Sequence, residues 1–200
     1  MGFVTKITSQ EIEHMECIAF PGSIHVISSE GEDFDEAVNY LKRQRVIGFD
    51  TETKPCFIQK VPRNRMAILQ LAGEERAFIF RLQQLGVPME LANILSSKTI
   101  LKIGAAVHDD IKGLQEYNHF ESDGFVDLQK LASDYGIEEK SVRKMSAIIV
   151  GKKVSKSQQL SNWESTQLSE AQLRYAATDA WVCRLMYMHL IESQKLEIGQ

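Results

Sequence analysis

The chain has little cysteine. Its three, Cys17, Cys56 and Cys183, stand far apart in no metal-ligand spacing. That excludes a disulfide-stapled scaffold or a cysteine metal site, and it predicts buried thiols in a reducing compartment. No apolar run is long enough to cross a bilayer, so no membrane association is expected. The opening stretch, MGFVTKITSQEIEHMECIAF, carries charges throughout and lacks a continuous apolar segment followed by a small-residue cleavage site. It therefore does not read as a secretory leader, and the expected location is cytoplasmic. Lys6 stands where a myristoylation motif would need Ser or Thr. An excess of positive charge is missing too: the net charge is −4 and the pI about 5.8. That argues against a basic nucleic-acid scaffold, but not against an enzyme that meets phosphates with a few local cations. GKKV at 151–154 is no phosphate-binding loop, because Ser146 replaces its earlier glycine and Val154 its Ser or Thr. Repeats, low-complexity tracts and clear linkers are absent as well.

What is present is the composition of a globular protein, 44% hydrophobic and 25% charged. The expected organisation is an N-terminal extension over 1–22, one domain over 23–194 and a tail over 195–200. Phe20-Pro21-Gly22 reads as a turn. Strands are predicted at 24–28, 46–52, 66–73, 76–82 and 99–106, with a short one in FVDL after Gly124. The strands at 66–73 and 76–82 are joined by Gly73-Glu74-Glu75 and read as a hairpin. Helices are predicted at 34–44, capped by Asp33, and at 88–96, 108–117, 127–135, 139–149 and 169–192. Strands grouped early and helices late suggest an α/β architecture whose sheet mixes parallel and antiparallel pairs.

Acidic residues carry the chemistry. VIGFDTET places Asp50 and Glu52 two apart at the end of an apolar strand, on one face. Two unit charges 4 Å apart cost about 4 kcal/mol at an effective dielectric near 20. Such a pair needs protonation, a cationic partner or a metal, unless it merely ends the strand in solvent. In YAATD, Tyr175 and Asp179 share a helix face, with Ala176 and Ala177 small enough to let that helix lie close to a sheet. The plain alternative is a core tyrosine and a surface aspartate. GAAVHDDIKGL leads from a strand into a helix, where Asp109 and Asp110 are either caps or, for Asp110, an inward-facing carboxylate four residues before Leu114.

In this order the acids resemble the DEDDy class of 3′–5′ exonucleases. FDTETKP resembles the first motif of that class and RMAILQLA the hairpin after it. LSNWESTQLSEAQLRYAATDAW resembles the third-motif region of Werner-syndrome-type exonuclease domains, and ribonuclease D shares a looser version. The likeness covers roughly residues 24–190. It departs at Thr53, where the Werner type carries a large residue. In the second motif the spacing to Gly104 and Leu114 selects Asp110 over Asp109.

The resemblance implies a ribonuclease H-like fold: a mixed five-stranded sheet with an antiparallel hairpin and helices on both faces. It implies two divalent cations, magnesium or manganese, held by Asp50, Glu52, Asp110 and Asp179, with Tyr175 beside the attacking water. Asp50 would bridge both ions, Glu52 and Asp179 would serve the ion on the water, and Asp110 the one on the leaving group. The expected substrate is nucleic acid, DNA ahead of RNA, shortened from its 3′ end to nucleoside 5′-monophosphates. Substrate contacts are expected from Thr51, which lies near the terminal nucleotide by the same resemblance. Lys156 is a further candidate, as is Trp163, whose ring suits either base stacking or packing. Further cationic candidates are Lys54, Lys60, Arg63, Arg65, Lys152 and Lys153. His108 reads as a surface residue at a helix start.

Overall fold

The computed structural model describes residues 2–56 and 64–198, with side chains described as far as residue 194. Lys60 and Arg63 lie outside the described residues. Six strands form one sheet: β1 (Ser23–Ile27), β2 (Val46–Thr53), β3 (Met66–Ala72), β4 (Arg76–Arg81), β5 (Leu101–Gly104) and β6 (Phe125–Asp127). Their order is β1-β4-β3-β2-β5-β6. The β2–β3–β4 steps are antiparallel, while β1 on β4, and β5 and β6 beyond β2, are parallel. The five-strand expectation is thus one short. FVDL does form a strand, and its three residues pair with β5 from Lys102 to Gly104.

Helices cover both faces. The helices are α1 (Ser9–Glu13), α2 (Glu32–Lys42), α3 (Leu82–Leu85), α4 (Met89–Leu95), α5 (Val107–Gln115), α6 (Leu128–Asp134), α7 (Val142–Ile149) and α8 (Glu170–Ile198). One core packs Phe34 and Leu41 of α2, Leu91 and Leu95 of α4 and Leu114 of α5 against Ile47 and Phe49 of β2. The other packs Leu128 of α6, Met145 of α7 and Ala177, Ala180 and Met186 of α8 against Ala72, Ala77 and Ile103. Alternation along β2 therefore sends odd-numbered residues to the α2 side and even-numbered ones to α8. Two local expectations need correction. Asp33 does not cap α2: Gly31 occupies the cap, and Asp33 lies in the acidic first turn, where it suits the helix dipole. The short α3 takes up residues between β4 and α4 that carry no clear helical period.

The N-terminal residues are less peripheral than expected. Phe20 is buried, its ring 5.7 Å from that of Trp181. The Phe20 backbone N–H donates to Thr178 Oγ1 at 3.0 Å. Ile7 and Ile12 are buried against Ala147 of α7. Cys17 bridges to Lys153 as a short parallel pairing. Of the cysteines, only Cys183 is buried; Cys17 and Cys56 are exposed, against the expectation of three buried thiols.

Candidate active site

Gly48 explains how α8 reaches the strand that bears the acids. A Cβ there would stand 1.8 Å from the Ala180 carbonyl oxygen, so only glycine lets the helix backbone lie directly on β2. Ala176, Ala177 and Ala180, all fully buried, keep the approach close. Asp179 is thereby laid over Asp50 and Glu52, the next residues of β2 on the same face. Carboxylate oxygens of Asp50, Glu52 and Asp179 lie within 4.8 Å of one another.

Asp110 arrives from the opposite face. Thr51 points away from α8, and its hydroxyl donates to Asp110 Oδ1 at 2.6 Å. The turn before α5 sets this position. Ala106 is left-handed, with φ 58°, and its N–H donates to the Asp127 carboxylate at 3.0 Å. The same Asp127 oxygen accepts from Gln129 N at 2.9 Å and caps α6. Asp110 therefore stands beside the trio of carboxylates, while Asp109 is exposed.

The electrostatics are those of an over-supplied anion site. Burial pushes the Asp50 carboxyl well above the usual carboxylate range, and Asp179, Glu52 and Asp110 push it further. Burial, then Asp179 and Asp110, raise Glu52 to about 8. Burial raises Asp179 to about 7, opposed by the hydrogen bond that the Tyr175 hydroxyl donates to it. Asp110 is raised mainly by burial and held back by Thr51. Tyr175 is pushed up by burial first and by Asp179 next. The four acids act on one another and have no lysine or arginine ion-pair partner among the described residues. Hard oxygen donors, crowded and uncompensated, fit a divalent cation.

The trio lines a cavity of about 330 Å³, whose walls also carry Thr51, Tyr175, Lys140, Arg143 and Lys156. Lys156 and Thr51 are thus part of the lining of the cavity that holds the trio. Trp163 is not: it is completely buried, its ring 6.0 Å from Tyr175. Its faces are spent on packing, so the stacking role is withdrawn and the indole serves as the wall behind Tyr175. Lys54 pairs with Glu164 at 3.3 Å, and the Arg65 guanidinium lies 4.0 Å over the Tyr117 ring. Lys152 and Lys153 reach Glu16 and Glu13 of the N-terminal segment. His108 is exposed. Sequence reasoning missed Arg143 and Lys140; both sit in polar stretches with no period to distinguish them from solvated charges.

The 3′–5′ exonuclease family model matches residues 25–193, and the chain belongs to that family of hydrolytic enzymes acting on nucleic acid. Several of its curated relatives carry exonuclease names. Among curated relatives, the mouse bifunctional 3′-5′ exonuclease/ATP-dependent helicase WRN is 30% identical over 89% of this chain and 13% of its own length. The Aedes aegypti exonuclease mut-7 homolog is 30% identical over 88% of this chain and 27% of its own length. The chain thus spans less than a third of these relatives. Among solved structures, the Aedes aegypti Nibbler EXO domain superposes with a TM-score of 0.78 at 26% identity, covering 91% of this chain and 94% of that one. Escherichia coli RNase D shares the fold, with a TM-score of 0.76 at 19% identity over 87% of this chain and 46% of its own.

Proposed function

We propose that the protein is a two-metal-ion 3′–5′ exonuclease that removes nucleoside 5′-monophosphates from the 3′ end of DNA. The observation that carries this reading is the trio Asp50, Glu52 and Asp179, gathered within 4.8 Å with no lysine or arginine ion-pair partner among the described residues. Asp50, Glu52 and Asp179, with Asp110 alongside, would hold two divalent cations, magnesium or manganese. When bound, such ions supply Lewis-acid activation of water and offset charge on the departing oxygen. The rest falls to side chains. Thr51 and Lys156 line the cleft and hold the terminal nucleotide and its phosphate against the acids. Tyr175, fixed by its bond to Asp179 and walled by Trp163, orients the attacking water. With its ionisation pushed well above the usual tyrosine range, its phenol works as a hydrogen-bond donor and acceptor rather than as a free base. Water oxygen bonds to phosphorus, the bond from phosphorus to the 3′ oxygen breaks, and the shortened strand keeps a 3′ hydroxyl.

The assay is shortening of a 5′-labelled strand with manganese, followed for the wild type and for Asp50→Ala with Glu52→Ala. A ladder from the wild type and none from the double variant is the expected result. A variant as active as wild type would place the chemistry elsewhere. RNA is the second reading, favoured by relatives such as a Gluconacetobacter diazotrophicus protein named ribonuclease D, 26% identical over 89% of this chain. DNA polymerase I of Aquifex aeolicus, 28% identical over 78%, stands on the other side. Matched DNA and RNA strands decide: faster RNA cleavage reverses the order.

A further inference from the structure

We propose that Arg143 is a substrate-phosphate contact of the cleft and that Glu13 competes with the phosphate for it. The N-terminal segment thereby sets how tightly the enzyme holds its strand. This rests on the exonuclease reading.

Arg143 stands in the first turn of α7 and lines the same cavity as Asp50, Glu52 and Asp179. It also lines a second cavity of about 200 Å³, floored by Ser9, Ile12 and Glu13. Ser141, Arg143 and Lys156 border both, so the cleft runs on from the acids towards α1. A strand whose 3′ end lies at the acids has its next phosphates to place; Arg143 and Lys156 border both cavities, while Lys144 in the second is paired with Glu139 at 3.0 Å. A guanidinium suits that task, because its fork of donors matches phosphate oxygens.

Glu13 already occupies this guanidinium: Arg143 donates to Glu13 Oε1 at 2.7 Å. The Arg143 side chain is 19% exposed and that of Glu13 65%, so the acid is the more exposed partner, with Lys153 Nζ 3.8 Å from its other oxygen. An exposed pair of this kind is weak, and a phosphate can displace the carboxylate at little cost. Glu13 lies outside the stretch matched by the family model, which starts at residue 25. The competition is therefore built from this chain's own N-terminal residues, held on α7 by Ile7 and Ile12 and beside Lys153 by the Cys17 bridge.

The test is steady-state shortening of a 5′-labelled single strand with manganese, at several salt concentrations. Arg143→Ala should raise KM about five-fold with kcat unchanged. It should also make the dependence of log affinity on log salt shallower by about 0.7, one phosphate contact on a single strand. Arg143→Gln, which keeps the stem, should match it and covers a failure of the alanine variant to fold. Glu13→Gln should lower KM about three-fold, and that gain should vanish when Arg143→Ala is added. A KM unchanged in both Arg143 variants would overturn the proposal. So would a Glu13→Gln effect that survives without Arg143, since that marks a merely structural segment. Equilibrium binding of the same strand to the Asp50→Ala, Glu52→Ala protein separates the two readings. If the wild type shortens nothing yet Arg143→Ala weakens this binding about five-fold, the catalytic reading fails and the contact stands. Unchanged binding removes the contact.

Discussion

Asp50, Glu52 and Asp179 are each held by the fold in a place where they resist ionising. Glu52 is raised to about 8 and Asp179 to about 7. Acids raised in the folded state bind more protons there than in the unfolded chain. Their contribution is fully present below the unfolded values near 4 and is lost as pH rises through the folded ones. Without metal, the melting temperature should therefore fall between pH 4 and pH 8, by at least about 3 °C. Calorimetry in chelator checks this. Manganese should reverse the trend, with a larger upward shift at pH 8 than at pH 5, because the ion binds the deprotonated carboxylates. Tyr175→Phe should cut kcat about 100-fold while leaving manganese affinity near wild type, as suits a group that orients water rather than holds the ion. Single-turnover rates and a metal titration separate the two effects.

Among the elements, β2, α5 and α8 bring the acids together, and each depends on a small structural device. Gly48→Ala would force α8 off β2 and should destabilise the protein by about 3 kcal/mol, read by denaturant melts. Ala106 holds a left-handed turn at a cost of roughly 1 kcal/mol, so Ala106→Gly should be neutral or stabilising. Asp127→Ala removes the acceptor that ties this turn to α6. It should cost about 1–2 kcal/mol and lower activity by shifting Asp110. Short-range pattern made much of this legible beforehand. Asp50 with Glu52 follows the strand period, Tyr175 with Asp179 the helix period, and both relations survive any tertiary arrangement. The hairpin and the order of helices were readable for the same reason. Arg143 was not, because its meaning depends on where the first turn of α7 falls relative to a distant strand. Trp163 was ambiguous because an indole beside an acidic motif suits stacking and packing alike, and only the surrounding Ile68, Ile79 and Ala176 decide for packing. The sixth strand is too short for its period to fix its pairing.

At the scale of the whole molecule, the N-terminal residues pack on the helices that cover the sheet and are expected to unfold with them. Phe20 caps the α8 layer against Trp181, and Phe20→Ala should cost about 3–4 kcal/mol in a single unfolding transition. An unchanged midpoint would mean that this segment is only draped on the surface. The net charge of −4 is spread over the whole chain, since only three of its 27 acids, Asp50, Glu52 and Asp179, line the cleft, where Lys140, Arg143 and Lys156 stand around them.

The seating of α8 on Gly48 couples robustness to turnover. Tyr175 and Asp179 ride on the same rod whose alanines are wedged against the sheet, so a bulkier wedge anywhere along that seam tilts both reactive groups at once. Selection for heat resistance and selection for cleavage therefore act alike here: both keep the seam bare, the first because a filling strains the fold and the second because it displaces Tyr175 and Asp179 together.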